Sequence, residues 1–447
     1  MDLTFFKTRR FRVGISVIIA LAALFITTGQ YRRIRFSKDM VLTVGVFSDN
    51  YWGIQNGHAN KIIDNAISRF QHEHPDVKVE YESGIMKADY SEWLSEQMMN
   101  DTMPDVFFIL GGDFSTFAQI GALKDLDNLI KRDPSFDPSA YYKTAYDSGS
   151  YAGRQYALPY ECAPNMMFVN KTILDREKIE LPDRNWTWDD FYAICRRATR
   201  DTHGTGVIDQ FGEVSYTWKD AFDANGVVLF DEKGKNCDFT VKEIGDAITF
   251  LEKLNGLDSG YAVSARNFSQ GNVVFQPMLF SEYRAYKSQE LSIKKYSGFE
   301  WECLTMPAGP SGDNYSRLDT LSIAMSEQTT EKEYAWAFIK LLTSDREIQS
   351  EIFDYSAGIS VLPKVTNSDE TRRRITQSTG TPFNMSVLES AMEKTVTRTR
   401  FRGYDNALEE VGIAVSSILD SRSNIQMEQI IWNRTINNYL KTLSRDE

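Results

Sequence analysis

Apolar and polar positions along the first third of the chain alternate between two periods. Val41–Phe47, "VLTVGVF", is nearly continuous in apolar residues and predicts a strand. Ile62, Ile63, Ala66, Ile67 and Phe70 then recur at helical spacing within residues 60–73. "VKVEYE" alternates, with Val77, Val79 and Tyr81 on one face. A helix around Ser91–Met99 follows, and then "PDVFFIL", a wholly apolar strand of the kind buried on both faces of a parallel sheet. Another helix begins near Phe114. Strand, helix, strand, helix, strand predicts an open α/β sheet, in which loops at the carboxyl ends of the strands line the ligand crevice. Here those loops are Ser48–Gly53 and Gly111–Phe114.

The stretch Gly153–Leu174, "GRQYALPYECAPNMMFVNKTIL", breaks this rhythm. It predicts two short strands, Tyr156–Tyr160 and Met166–Val169, joined by a kink at Pro159 and Pro164. Beyond it the helical pattern restarts. "TWDDFYAICRRAT" predicts a helix capped by Thr187 and Asp190. "EVSYTWKDAFDANG" leads into a helix ending at Asn225-Gly226. "VKEIGDAITFLEKLN" predicts another, and Tyr334–Phe353 predicts one long helix. "SAGISVLP" predicts an irregular connector before helical residues 409–440. A chain of 447 residues exceeds one ordinary core. We therefore expect two discontinuous lobes joined by crossover strands at the kink and near Asn267–Val273. The expected division is an N-terminal segment 1–40, a first lobe of 41–157 plus 268–324, and a second of 158–267 plus 325–447.

Charge sharpens the picture at one end. Eight basic and two acidic side chains fall in residues 1–40, a balance of +6, so with −12 overall the remainder carries −18. So acidic a body excludes nucleic acid as a partner, since phosphate neutralisation needs a basic surface. Val13–Thr28, sixteen residues without a charge, is short for a membrane span and long for the apolar part of a signal. Export is the reading; anchor and cleaved signal both stay open. No cysteine follows the run, which excludes lipid attachment there. Four separated cysteines lack metal-ligand spacing, and a disulfide between any two stays open.

Catalytic motifs are missing. Four histidines are scattered, and His72-x-His74 reads as a polar helix end. No cofactor and no metal is expected. Carboxylates are plentiful, but no pair is singled out by spacing, so a glycosidase would need two of them facing each other about 5–9.5 Å apart. The aromatic residues carry more information. Tyr51 and Trp52 follow the first strand, Tyr160 falls at the kink, Tyr216 and Trp218 lie beside Glu213, and Tyr283 is next to Glu282. Sugars offer C–H faces to rings and hydroxyls to carboxylates and amides, so rings beside polar groups at strand ends predict a sugar cleft.

Five segments taken in order resemble the extracellular solute-binding proteins of ABC importers, in particular the carbohydrate-binding group that includes maltose-binding protein. They are "RFQHEHPDVKVEY", "PDVFFILGGDFSTFAQIGALKDLD", "YALPYECAPNMMFVNKTIL", "FSQGNVVFQPMLFSEYRAY" and the block from Met306 to Gln349. The resemblance covers about residues 41–445. It implies a two-lobe periplasmic-binding-protein fold of type II with a helical C-terminal region. Such a protein is not an enzyme; it closes on a sugar and delivers it to permease subunits at the outer face of a bacterial membrane, as a monomer. By matched position it implies ligand contacts from Asp49, Asn50, Tyr51, Gly112, Asp113, Glu213, Tyr216, Tyr283, Arg402 and Tyr404. Two departures stand out: the usual lipid-bearing cysteine is missing, and bulky residues replace a glycine-rich loop at Gln276–Ser281. The alternatives are a membrane-tethered sensing ectodomain of the same fold and a carbohydrate-acting enzyme.

Overall fold

In a computed structural model, residues 40–53, 60–82, 84–287, 298–379, 383–397, 401–421 and 423–443 are described. The apolar run Val13–Thr28 lies outside them. Among the described residues no helix is long and apolar enough to cross a membrane.

Among the described residues twelve strands appear in chain order: β1 Met40–Gly45, β2 Val77–Tyr81, β3 Val106–Ile109, β4 Ser150–Tyr151, β5 Arg154–Gln155, β6 Ala157–Asn170, β7 Phe211–Glu213, β8 Val273–Leu279, β9 Trp301–Leu304, β10 Ser316–Met325, β11 Ile359–Ser360 and β12 Thr395–Val396. The main path of the large sheet runs β2-β1-β3-β10-β6-β8-β7. As the periodicity predicts, β1 lies parallel to β2 and β3, with the helices Lys61–Glu73 and Lys87–Met99 between them in sequence. The capping box at Thr187 is present: Asp190 Oδ2 accepts from the Thr187 N–H at 2.9 Å, and the Thr187 hydroxyl accepts from the Asp190 N–H.

The centre of the fold differs from expectation. In place of two strands and a kink, β6 is one strand of fourteen residues, every one of them buried. Its first half pairs antiparallel with β10, from Ala157 against Ala324 to Pro164 against Leu318. From Asn165 onward the partners become β8 and β9. A proline within a sheet removes a ladder donor and belongs at a bulge or an edge. Both prolines satisfy that rule. Pro159 falls at the register shift between Leu321 and Ser322, and Pro164 at the exchange of partners.

Successive β6 side chains point to opposite faces, and the two faces feed different cores. Met166 and Phe168 join a first core with β1, β3 and β10, whereas Met167 and Val169 join a second with Trp186, Phe191 and Phe275. The helices Tyr404–Ser421 and Ile425–Leu443 pack into the second core. Residues 332–355, expected in the second lobe, pack instead on the first core: Phe338 meets Phe70 edge-on at 5.3 Å, and Arg69 binds Asp345 at 2.9 Å. That segment is also two helices, Lys332–Ser344 and Arg346–Tyr355. Asp345 divides them, its carboxylate accepting from the N–H groups of Glu347 and Ile348. The connector at 356–363 includes β11, which pairs with β6 at Glu161 and Cys162. All four cysteines are buried, and none forms a disulfide among the described residues.

Candidate functional site

A cavity with walls from both cores has a volume of about 1090 Å³. Tyr51, Ile109, Gly111 and Phe114 come to it from the ends of β1 and β3. The hairpin of β4 and β5 contributes Tyr151, Ala152 and Gly153, and β10 contributes Arg317 through Thr320 and Ser322. Across from them stand Lys219, the turn Glu232–Lys235, and Phe401, Arg402, Tyr404 and Asp405. Two carboxyl ends of parallel strands thus open into the cavity, where an open α/β sheet is expected to bind.

Several of the expected residues meet here. Tyr51 lines the cavity, and the Lys87 ammonium sits 4.2 Å from its ring centroid while donating to its carbonyl at 2.5 Å. Burial pulls the Lys87 pKa down, opposed by Asp49, Asp319 and Glu161. Arg402 lines the wall, and Tyr404 does so from a buried position edge-on to Phe401 at 5.5 Å. Gly112 faces the opposite wall: a Cβ there would stand 3.7 Å from Asp405 Oδ2. Asp113 accepts from the Ser91 hydroxyl at 2.6 Å, and burial, with Asp405 adding to it, raises its pKa.

Other expected residues serve local structure. Asp49 accepts from the N–H of Lys87 at 2.6 Å, at the start of a helix, and Asn50 accepts from the N–H of Trp52 at 2.8 Å in a turn. Tyr160 is buried against Phe108, ring centroids 5.0 Å apart. Tyr216 is buried and accepts from the Trp188 indole at 2.9 Å. Glu213 is buried below it, accepting from the Tyr216 N–H at 3.0 Å, and burial pushes its pKa up to about 8. Glu282 accepts from the N–H of Leu279, and Tyr283 stacks on Phe280 at 5.4 Å within the core. Trp218 lines a neighbouring groove of about 670 Å³ that shares Lys219, Asp405 and Leu408 with the main cavity.

Sequence reasoning missed three wall segments. The β4–β5 hairpin turns at Ala152 and Gly153, both with positive φ, and an X-Gly pair between short alternating runs is its signal. The turn at 231–236, "DEKGKN", has a comparable signal. Arg317 and Asp319 had none, because only long-range pairing of β10 with β6 brings them to the cavity. A buried acid also went unnoticed. Glu161 accepts from the Ser356 hydroxyl at 2.5 Å; burial raises its pKa against Ser356, Trp52, Arg284 and Lys87.

The model of the bacterial extracellular solute-binding proteins matches residues 56–349, about two thirds of the sequence. The chain belongs to that family. Two curated relatives are an uncharacterized lipoprotein of Streptomyces antibioticus, 25% identical over 291 residues, and an uncharacterized ABC transporter extracellular-binding protein of Pyrococcus horikoshii, 29% identical over 130 residues. The aligned stretches span 62% and 29% of this chain, and the same shares of those relatives' own lengths. Among solved structures, the cyclic α-maltosyl-1,6-maltose binding protein of Arthrobacter globiformis superposes with a TM-score of 0.74 at 16% identity, over 90% of this chain and 99% of the other. At that identity the likeness establishes architecture: this solute-binding protein has the two-lobe, type II periplasmic-binding-protein-like fold. The family is extracytoplasmic, and its members are binding proteins of transport rather than enzymes.

Proposed function

We propose that this chain captures a sugar or oligosaccharide between its two lobes and delivers it to the transmembrane permease subunits of an ABC importer. One observation carries the reading: the 1090 Å³ cavity is walled from both cores and combines Tyr51, Phe114, Tyr151 and Phe401 with Arg317, Asp319 and Arg402. Rings and hydrogen-bonding groups are the two requirements of a polyhydroxylated ligand. The volume is slightly above the roughly 300–1000 Å³ range of small-molecule pockets, as room for an oligosaccharide requires. The Arthrobacter relative, named for binding a cyclic maltose derivative, supports the same ligand class.

In this reading the first lobe holds β1–β3, β10 and the helices of residues 332–355, and the second holds residues 171–254 and 401–443. The ligand contacts both walls only when the lobes close, so its differential affinity shifts the population toward the closed state. The protein acts as a monomer at the outer face of the membrane, retained by Val13–Thr28 where that run is not cleaved. Intrinsic fluorescence and thermal shift against a panel of oligosaccharides test the proposal. Saturable responses to saccharides are expected. Silence across sugars with a response to peptides or phosphate esters would overturn it.

A further inference from the structure

Five cationic side chains line the cavity: Lys219, Lys233, Lys235, Arg317 and Arg402. Among the described residues none of the five forms an ion pair. Four carboxylates share the lining, Asp147, Glu232, Asp319 and Asp405. Asp147 is already engaged by Lys143, and Asp319 acts on Lys87. Five cations therefore face four carboxylates, one of them already held by Lys143. This surplus of positive charge stands in a chain whose net charge is −12.

Exposed lysines are ordinarily just solvated, and Lys233 and Lys235 on their turn carry little weight alone. Arg317 and Lys219 differ. Both are half-buried, and they face the cavity from different cores, Arg317 on β10 and Lys219 in the first turn of the helix Trp218–Ala224. Lys219 has the Trp218 ring 5.7 Å away, and burying a cation without an anionic partner is costly. Behind Arg317 the buried Asp220 carboxylate attracts it from beyond ion-pair distance, yet the guanidinium donates no hydrogen bond among the described residues. Its planar fork of donors matches a carboxylate or sulfate in two parallel bonds. Low-dielectric walls of Phe114 and Phe401 strengthen the field that such a cation projects into the cleft.

We infer that the cleft selects an anionic saccharide, one bearing a uronate carboxylate or a sulfate, with Arg317 and Lys219 holding the charge from opposite walls. This rests on the sugar-binding reading above and narrows it. The test is calorimetric titration of the full-length chain with uronic-acid, sulfated and neutral oligosaccharides of matched length. Methyl-esterified and desulfated forms serve as the uncharged partners. The tightest ligands are expected to be anionic and to lose at least tenfold in affinity on esterification or desulfation. Raising sodium chloride from 50 to 500 mM should weaken them severalfold, and Arg317→Gln and Lys219→Gln should each erase most of the preference for charge. Which pair shows the loss separates the carboxylate from the sulfate. Neutral saccharides binding best, indifferent to salt and to both substitutions, would overturn the inference and leave sugar capture standing. No response to any saccharide would overturn both.

Discussion

The side-chain amide of Asn165 donates to Asp220 Oδ1 at 2.8 Å, at the residue where β6 exchanges β10 for β8. Both side chains are buried. The other oxygen of Asp220 accepts from the N–H and hydroxyl of Thr217 at 2.9 and 2.7 Å, so one carboxylate ties the crossover strand to a helix of the second core. Ser316, the first residue of β10, donates its hydroxyl to the Asn165 carbonyl. Asn165→Ala should cost about 1–3 kcal/mol, the range for stranding a buried polar partner. Asp220→Ala should cost more, since it removes the Thr217 cap as well. A double-mutant cycle by urea denaturation checks this: strictly additive losses would show that the pair contributes no coupling.

Glu213 makes stability depend on pH in an unusual direction. Burial, with Asp258 and Asp220 adding to it, pushes its pKa up to about 8 in the folded protein. The unfolded carboxyl ionises near its ordinary 4.5, so between those values the folded state binds the extra proton. Its contribution is complete below pH 4.5 and is lost as pH rises through about 8. A gap that wide between the folded and unfolded carboxyl is worth on the order of several kcal/mol. Denaturation midpoints at pH 5 and pH 8.5 should therefore converge in Glu213→Gln relative to wild type. An unchanged gap would reject the assignment.

Two tyrosines separate binding from folding. Tyr51 is half-buried at the cavity, whereas Tyr283 is 3% exposed between Phe280, Trp301 and Phe383. Tyr51→Ala should weaken oligosaccharide binding about tenfold, or about 1.4 kcal/mol, with little change in melting temperature. Tyr283→Ala should cost roughly 3–5 kcal/mol of stability, as large aromatic truncations in cores do. Paired melting curves and titrations would expose a reversal of these roles.

Gly149 supports the hairpin wall. A Cβ there would lie 2.0 Å from the Ala157 carbonyl oxygen and 2.7 Å from Gln155 Nε2, while its own carbonyl accepts from the N–H groups of Tyr156 and Ala157. Gly149→Ala should therefore push the β4–β5 hairpin off the start of β6, at a cost of about 1–3 kcal/mol or more. Thermal melting reads the destabilisation, and weaker ligand binding reads the displaced Tyr151 and Ser150. A variant as stable as wild type would show that the hairpin yields freely.

Local periodicity made the first αβ units legible, because each strand or helix there is decided by its own few residues. Arg402 and Tyr404 came only through the family resemblance, whereas Tyr51 and Gly112 were within reach because loops after strands face the crevice. Tyr160, Glu213, Tyr216 and Tyr283 were not. An aromatic beside a carboxylate at a strand end looks alike whether the pair faces a ligand or a core, and β7, buried at all three residues, offers no alternation to decide it. The exchange of partners within β6 was equally hidden. Two prolines normally mark a break, and only the bulge at Ser322 and the handover at Asn165 make them compatible with a continuous strand. Arg317 reaches the cavity through pairing across more than 150 residues, which no window of sequence contains.

The unbroken β6 also restricts how this gene can vary in length. Inserting or deleting one codon between Pro164 and Met166 would turn Met166 and Phe168 toward the face now filled by Met167 and Val169, corrupting both cores at once. Length changes among descendants should instead gather at turns such as 231–236, where an extra residue alters only the rim of the cavity.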